Sequence, residues 1–212
     1  MVLDLLIGLP GDRPGGLLLS VLLGLGAGAA ALALGFAYAA ACSAGRAFGL
    51  PLQGASALLR GIPLILLAFG VAELVSVPLA LAGLLALTLY SLSHTGEILR
   101  GFLAAYPAEN AAQARVMGIG PIREWVTLRI PHVLRDALGA LQTHWISLLK
   151  DSGALVVIGV GELTTTAKLL TDRSADTGYW LGVLGLAAGF YLLTTLALIA
   201  AVRRIGGPVG ER

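Results

Sequence analysis

Charged residues are scarce in this chain of 212 residues. They make up 12% of it, about half of the roughly 25% that is usual in soluble domains. Hydrophobic residues make up 57%, and the mean hydropathy is +0.88. The net charge of +2 is too small to indicate a nucleic-acid partner. The composition predicts a single membrane domain over residues 1–212 that contacts lipid and no nucleic acid.

The sequence also has little cysteine and lacks a nucleotide-binding motif. Cys42 is the only cysteine, which excludes an internal disulfide and a cysteine cluster for a metal. The sequence contains no Gly-x-x-x-x-Gly-Lys-Ser/Thr loop to hold nucleotide phosphates. We therefore expect a chain that is not an enzyme and binds no cofactor or metal directly. Any use of ATP-Mg falls to a separate polypeptide.

Long apolar runs dominate what is present. A helix needs about 20 mostly apolar residues to cross a bilayer. Five runs qualify: residues 17–42, 56–77, 79–99, 138–160 and 179–202. Residues 1–10 carry Asp4 and no basic residue, so the first run is expected to remain in the membrane and not to be a cleaved signal. The sequence thus predicts an all-α integral membrane fold with five transmembrane helices.

Arginine and lysine in the connections predict the orientation, because they favour the cytoplasmic side. With the N-terminus outside, the residues on or near the cytoplasmic side are Arg46, Arg60, Arg100, Arg115, Arg123, Arg129, Arg135, Arg203 and Arg204. Arg13, Lys168 and Arg173 are then external. We expect a multi-pass protein with its N-terminus outside and its C-terminus inside.

The longest polar interruption is a predicted cytoplasmic loop, residues 101–137, between the third and fourth spans. Pro107 and Pro121 each suit the first turn of a short helix, where a missing N–H is tolerated. We expect the first helix to end near Gly118 and the second to stop before Pro131. The glycine corner at 118–120 could enter a groove on another protein. On these residues alone, an amphipathic connector explains the loop equally well.

Four segments in register resemble permeases of the ABC importers for polar amino acids, the histidine, glutamate, glutamine, arginine and opine family. Residues 112–118 (AQARVMG), followed by Pro131, resemble the EAA loop of that family. Residues 59–63 (LRGIP) and 97–101 (EILRG) resemble its entry to the second span and its end of the third. Residues 146–152 (ISLLKDS) resemble the segment after the loop. The resemblance extends from about residue 16 to 205.

This resemblance implies a permease subunit of an importer that works by alternating access. It implies a second permease, homologous or identical, a dimer of cytoplasmic ABC ATPases and an extracytoplasmic amino-acid-binding protein. The ATPase-coupling positions carried over are Ala112, Gln113, Ala114, Arg115, Gly118 and Pro131. Ala112 departs from the family pattern, which has glutamate there, and Glu109 lies three residues upstream.

Two adjacent charges, Lys150 and Asp151, interrupt the fourth predicted span. A charge at the bilayer centre costs at least about 2.5–3.5 kcal/mol, so such residues face protein or water. Because neighbouring helix residues do not face each other, each charge needs its own partner, or the helix breaks at Ser152 and Gly153. We expect this bend, with His144, to line the substrate route between two permeases. The alternative is a structural ion network.

Other polar residues allow smaller predictions. Glu162 is either a gate residue facing an amino acid's ammonium group or a carboxylate on the external surface. Glu97 and Arg100 stand three residues apart and are expected to pair. His94 and His132 have no ligand-like spacing with other residues and are expected to be structural.

Three rival functions remain open from sequence. An ABC permease for a quaternary-amine osmoprotectant would share the EAA loop, although residues 146–152 favour amino acids. A secondary transporter would need no ATPase, but it is expected to contain internal repeats, and this sequence has none. A purely structural membrane scaffold would leave the ordered loop and the charge pair unexplained.

Overall fold

The computed structural model describes residues 1–11 and 14–206, and over these residues the chain is built from helices. Its α-helices are α1 (Val2–Ile7), α2 (Gly16–Ser43), α3 (Arg46–Gly61), α4 (Leu64–Leu74), α5 (Leu79–Ala104), α6 (Ala108–Val116), α7 (Pro121–Glu124), α8 (Ile130–Asp151), α9 (Leu163–Thr171) and α10 (Thr177–Gly206). A π-helical turn, Trp125–Arg129, joins α7 to α8, and a 3-10 helix, Ser152–Ile158, follows α8. The prediction of an all-α fold is confirmed. Arg13 lies outside the described residues.

Three helices of the described chain are long and apolar enough to cross a membrane: α2, α5 and α10. Helices α3 and α4 pass the same test only together, which makes a fourth, bent span. Helix α8 has 22 residues but carries charges near both ends, and it does not pass on composition. The multi-pass character is confirmed, whereas the count of five is not.

The second predicted span, 56–77, is wrong as a single straight helix. The chain forms α3 and α4, whose axes differ by 103° across Ile62 and Pro63. Pro63 has no N–H to continue the helix of α3, and its ring restricts Ile62 to an extended conformation, with φ −85° and ψ 121°. The helical part also begins ten residues earlier than predicted, at Arg46.

Helix α3 is amphipathic in the opposite sense to a helix on a soluble protein. Its small and polar residues Gly49 and Ser56 are buried against α2 and α5, while Phe48 and Leu58 are exposed. A surface helix in water places its apolar stripe toward the core. The outward apolar face of α3 therefore fits an environment of lipid or another membrane subunit.

The centre of the fold is the pair α2 and α5, which pack side by side in the same direction. A methyl group added at Gly26 would lie 3.3 Å from Leu84 Cδ1, and one added at Gly35 would lie 3.1 Å from Leu99 Cδ1. One added at Gly96 would lie 2.7 Å from the ring of Tyr38. Small residues permit this close approach. It stabilises the pair because lipid offers no hydrophobic drive for helices to associate, so that van der Waals packing must hold them together.

The two ends of this bundle differ. At the loop end, where α2 and α5 finish, α5 leads directly into α6. At the opposite end, where they begin, Gly16 N–H donates to Gly161 O at 2.8 Å and brings the start of α9 alongside α2. Lys168 and Arg173 belong to this opposite end, as α9 packs on α1, α2 and α10. Lys168 and Arg173 therefore lie at the end of the bundle opposite the loop, away from most of the arginines.

The second predicted loop helix does not stop before Pro131. From Pro121 the chain is helical through α7, the π turn and α8, without interruption to Asp151. Pro131 falls in the first turn of α8, just after the π turn. The wider π turn accommodates a residue that cannot donate a backbone hydrogen bond. The expected helix end at Pro131 is wrong for this reason.

Candidate coupling and transport sites

Helix α6 ends in a glycine cap that fixes the shape of the following corner. Gly118 N–H donates to Arg115 O at 3.0 Å, and Ile119 N–H donates to Ala114 O at 2.9 Å. This pair of bonds, with Gly118 at φ +70°, is a Schellman motif. The prediction that a first loop helix ends near Gly118 is confirmed. The glycine of the AQARVMG segment is needed by the backbone itself, since L side chains are strained at this φ.

The corner after α6 presents apolar side chains to the outside. Val116 is 90% exposed, Met117 77% and Ile122 81%. Gly118 and Gly120 have no atom within 4 Å of an added methyl group, so the backbone between them is open. A contiguous apolar projection on a polar loop is typical of a surface that binds another protein.

A cluster that sequence analysis did not identify anchors this corner to α8. Glu124 is buried, and its carboxylate accepts from Arg129 at 3.2 Å. The guanidinium of Arg129 lies 4.9 Å from the ring centre of Tyr106 and 5.1 Å from that of Trp125, at cation–π distance. Burial, with a smaller effect of the Glu124 carboxylate, raises the pKa of Tyr106. The sequence did not indicate this pair, because Glu124 and Arg129 are five residues apart and helical pairs are recognised at spacings of three or four.

Three of the predicted coupling positions share one groove. A cavity of about 450 Å³ lies between α6 and the start of α8 and includes Gln113, Ala114 and Pro131 in its lining. Ala112 and Arg115 instead point outward from α6 and are exposed. Glu109 is also exposed, one helical turn before Ala112, so the two share a face of α6. The structure thus divides the AQARVMG segment between a groove and an outer face.

The helix break that was one alternative for the charge pair is present. Helix α8 ends at Asp151, and the chain tightens into the 3-10 helix that begins at Ser152. The buried Ser152 hydroxyl donates to Leu149 O at 2.8 Å, which satisfies one carbonyl at the helix end. Lys150 is exposed, and Asp151 is half-buried. Among the described residues, Lys150 and Asp151 form no ion pair with each other or with a third group.

His144 faces the interior of the bundle. Its Nε2 lies 2.9 Å from the Ser91 hydroxyl of α5, and its ring stacks on His94 with centroids 5.3 Å apart. His94 Nδ1 in turn lies 2.9 Å from the carbonyl of Tyr90. Asp151 interacts electrostatically with the adjacent Lys150, with His94 and with Tyr90. His144 and Asp151 therefore face α5, whereas Lys150 does not.

The exposed face of α8 is polar, and we call it the polar stripe. It consists of Gly139, Thr143, Ser147 and Lys150, which recur at about one helical turn. Exposed side chains on the membrane-length helices are mainly apolar, for example Leu22 and Leu25 on α2 and Leu184, Leu192 and Leu193 on α10. Leu149 packs against Gly24, which lies in the first third of α2. The adjacent Lys150 therefore lies toward the end of the bundle opposite the loop.

Glu162 is fully buried, so of its two alternatives the external surface carboxylate is wrong. It caps α9 by accepting from the backbone N–H groups of Thr164 at 3.0 Å and Thr165 at 2.7 Å. It also accepts from the hydroxyls of Ser20, Thr165 and Tyr191, at 3.1, 3.1 and 3.0 Å. A buried carboxylate needs such donors to offset its desolvation. Glu162 joins α2, α9 and α10.

At the loop end, a second carboxylate joins helices. Glu97 accepts from the Tyr38 hydroxyl of α2 and pairs with Arg100 at 2.8 Å, which confirms the predicted Glu97–Arg100 pair. Arg60 of α3 lies 3.8 Å from Glu97 and donates to Ser93 O at 3.1 Å. The sequence predicted only the local pair, because Tyr38 and Arg60 are distant in sequence. Of the predicted structural histidines, His132 pairs with Asp136 at 3.4 Å.

Comparison with known proteins identifies the family. A family model described as binding-protein-dependent transport system inner membrane component matches residues 31–206. The arginine ABC transporter permease protein ArtQ of Haemophilus influenzae is 31% identical over 178 residues, 78% of this chain and 79% of that one. The probable glutamine ABC transporter permease protein GlnP of Bacillus subtilis is 29% identical over 69% of this chain and 70% of its own length.

Solved structures share the fold. An amino acid ABC transporter crystallised with histidines gives a TM-score of 0.74 at 22% identity, covering 89% of this chain and 90% of that one. The methionine ABC transporter MetNI in an inward-facing form also gives 0.74, at 17% identity, covering 90% and 94%. The chain belongs to the family of binding-protein-dependent transport system inner membrane components.

Proposed function

We propose that this chain is the membrane permease subunit of an ATP-driven ABC importer that takes up a polar amino acid by alternating access. The permease family and the amino-acid permeases among its relatives support this function. The chain supplies the route through the membrane, and a partner ATPase supplies the energy from ATP-Mg. The domain extends over residues 1–212, with the loop 101–137 as its coupling segment.

In this proposal the membrane is crossed five times, with the N-terminus outside. Helices α2, α5 and α10 are three spans, the bent pair α3 and α4 is one, and α8 is the fifth. Such an arrangement places the loop end of the bundle in the cytoplasm. It also explains why α8 tolerates charges, since a span that faces a route or another subunit need not be apolar all round.

The apolar corner around Gly118 carries the coupling proposal. The corner enters a groove on one ATPase subunit, and closure of the ATPase dimer on ATP moves α6. Because the Glu124–Arg129 cluster and the unbroken helix from Pro121 tie the corner to α8, this motion reaches the substrate route. Ala112, Gln113, Ala114, Arg115 and Pro131 surround the contact. Glu109 shares the outer face of Ala112 and can offer the carboxylate that Ala112 lacks.

The polar stripe of α8 carries the route proposal. In an otherwise leucine-rich surface, exposed Thr143, Ser147 and Lys150 face a second permease and the water-filled path between the two. His144, Asp151, Ser152 and Glu162 lie behind this surface and hold its shape. A binding protein outside delivers the amino acid to the end of the bundle where Lys150 lies.

Purification of the tagged chain from its native membranes in mild detergent tests this function. We expect an ABC ATPase and a second permease to co-purify with it. After reconstitution with the binding protein, the complex should take up a polar amino acid when ATP is added. Met117→Glu and Ile122→Glu should release the ATPase, because each places a charge in an apolar contact. Lys168→Glu, at the opposite end, is the matched control. Uptake without ATP by a chain that purifies alone would overturn the proposal.

A further inference from the structure

Two arginines share one carboxylate at the loop end of the bundle, and we call Arg60, Glu97 and Arg100 the arginine cluster. Arg100 Nε donates to Glu97 at 2.9 Å, and Arg60 lies 3.8 Å from the same carboxylate. Tyr38 also donates to Glu97, but its hydroxyl adds no charge. Within the described residues, no other carboxylate pairs with either arginine. The arginine cluster therefore has one positive charge in excess.

The guanidinium of Arg60 has hydrogen-bond donors to spare. Its Nη1 donates to the Ser56 hydroxyl and to Ser93 O, each at 3.1 Å. In the part of the chain that the structure describes, its Nε and Nη2 have no hydrogen-bond partner. The side chains of Arg60 and Arg100 are 31% and 35% exposed, so both can be reached from outside the bundle. Because a guanidinium presents its donors as a planar fork, it suits a phosphate or a carboxylate.

An apolar groove between α3 and α5 adjoins the arginine cluster. Its volume is about 160 Å³. Ser56 and Ser93, which accept from Arg60, form part of its lining, and so does Tyr38. The rest of its lining is apolar and consists of Leu52, Ala55, Leu59 and Leu92. The groove can therefore hold a hydrocarbon chain next to the excess positive charge.

The cluster and the groove follow each other along α5 in the order of the parts of a phospholipid. Arg100 lies four residues before the end of α5 at Ala104, where the chain leaves the bundle for the loop. Leu92 lies about 12 Å deeper, at a rise of about 1.5 Å per residue. The outer face of α3 beside the groove is apolar, as exposed Leu58 shows. Basic pockets between membrane helices at a membrane surface are typical binding sites for anionic lipid headgroups.

We propose that Arg60 and Arg100 bind the phosphate of an anionic phospholipid, and that one of its acyl chains lies in the groove between α3 and α5. A lipid such as phosphatidylglycerol carries the single negative charge that cancels the excess of the arginine cluster. The bound lipid holds α3 against α5, so the packing of α3 depends on the anionic lipid of the surrounding leaflet. This inference goes beyond the importer function, because it requires only that the loop end reaches a membrane surface.

Lipid titration of the detergent-purified full chain, with the subunits that co-purify, tests the charge of this site. Native mass spectrometry measures the binding of phosphatidylglycerol and of phosphatidylcholine, which has no net charge. We expect the tightest site to prefer phosphatidylglycerol by at least about tenfold, because hydrogen bonds to charged groups contribute about 1.5–3 kcal/mol. Arg60→Gln removes the excess charge and should abolish the preference. Glu97→Gln raises the excess to two charges and should increase the preference.

An arginine elsewhere at the loop end provides the matched control for charge. Arg203 is exposed near the end of α10, and Arg203→Gln should leave the lipid preference unchanged. Equal loss of preference in Arg60→Gln and Arg203→Gln would overturn the proposal, since it would indicate diffuse attraction to the whole surface. A lower preference in Glu97→Gln, or equal binding of the two lipids by wild type, would also contradict it.

The groove is tested without touching the arginine cluster, which keeps the proposal testable if Arg60→Gln does not fold. Ala55→Trp fills the groove and should weaken phosphatidylglycerol binding at least about tenfold. Ala57→Trp, exposed on α3 but outside the groove lining, is the control and should bind normally. Full affinity in Ala55→Trp would refute the acyl-chain site.

Two further outcomes identify a different occupant. Inorganic phosphate at millimolar concentration should not displace phosphatidylglycerol, because it has no acyl chain to place in the groove. Displacement would show a site for free phosphate and overturn the lipid assignment. Loss of a second permease from the Ala55→Trp complex would show that the groove holds protein, with the same consequence. ATP-dependent uptake, measured separately, decides the importer function whichever lipid result is obtained.

Discussion

The hydroxyl of Tyr38 on α2 donates a hydrogen bond to the carboxylate of Glu97 on α5, and this contact is the centre of the polar network at the loop end. Arg100 and Arg60 approach the same carboxylate from α5 and α3. Three helices that are separate in sequence therefore meet at one anion. The contact is positioned by packing, because the Tyr38 ring lies directly against Gly96.

Removing the hydroxyl tests the contribution of this contact. Tyr38→Phe keeps the ring but loses a hydrogen bond to a charged group, a type of bond that contributes about 1.5–3 kcal/mol. We expect a lower midpoint of thermal unfolding in detergent and weaker protection of α3 from hydrogen exchange. Tyr179→Phe, at a half-buried position on α10, is the control. An unchanged midpoint for Tyr38→Phe would show that the contact adds little stability.

Gly96 should be equally sensitive, by way of the same tyrosine. In Gly96→Ala the new methyl group would lie 2.7 Å from the Tyr38 ring, closer than van der Waals contact allows. Overpacking of this kind costs about 1–3 kcal/mol. Because the displaced ring also loses Glu97, the effects of Gly96→Ala and Tyr38→Phe should be less than additive in the double variant. Gly101→Ala on the same helix has no atom within 4 Å of its added methyl group and is the control.

The glycine cap of α6 offers a matched pair of substitutions. Gly118 and Gly120 are both exposed and open, but Gly118 has φ +70° and Gly120 has φ −66°. Gly118→Ala should cost about 1 kcal/mol of local stability, since the left-handed region is unfavourable for alanine. Gly120→Ala should be neutral or slightly stabilising. Hydrogen exchange of the Ile119 amide, which closes the cap, measures the difference.

The same pair should separate in function. If the corner transmits ATPase closure, Gly118→Ala should reduce uptake per ATP hydrolysed in proteoliposomes while the complex remains assembled. Gly120→Ala should leave that ratio unchanged. Equal ratios for both variants would contradict a role for the cap geometry in coupling, although not the docking of the ATPase itself.

Glu162 should be among the more destabilising positions when changed. Glu162→Ala leaves the first amides of α9 without their acceptor, at about 1–3 kcal/mol for each unsatisfied buried group, and leaves the buried Ser20 hydroxyl only the 3.4 Å contact to Gly16 O. We expect a clearly lower thermal midpoint and faster hydrogen exchange over α9. Ser20→Ala removes one donor to Glu162 and the acceptor of the Leu163 N–H, and it should cost less because the Glu162 cap on α9 remains. If Glu162→Ala instead kept full stability but lost uptake, a gate role would be favoured.

The sequence predicted the features that depend on local chemistry. Proline at 107 and glycine at 118 were enough to bound α6. A break at Ser152 and Gly153 was one of two alternatives for the charge pair, although the fourth span was predicted to extend to residue 160, whereas α8 ends at Asp151. Glu97 and Arg100 were paired correctly because they share a helical turn. In each case the residues that determine the structure are within a few positions of one another.

What the sequence did not predict depends on long-range packing. The apolar run 56–77 gave no sign of the 103° bend, because hydropathy does not register that Pro63 follows the helix of α3. Glu162 was left open between a gate and an external carboxylate, because its donors Ser20 and Tyr191 are distant in the chain. Pro131 suggested a helix end, yet the π turn before it accommodates the missing N–H. These features follow from which helices become neighbours.

The parallel packing of α2 and α5 has a consequence for biosynthesis. Two adjacent helices that run in the same direction cannot insert as a hairpin, so the chain must return through α3 and α4 before α5 can arrive. Until then the glycine-rich surface of α2 that later receives Leu84 and Leu99 has no partner within the nascent protein. Helix α2 must therefore remain in the lipid, or beside the insertion machinery, with this surface unpaired until α5 is inserted. Because the connection between Ser43 and Arg46 is short, α3 follows α2 at once and the synthesis of α5 is delayed only by α3 and α4.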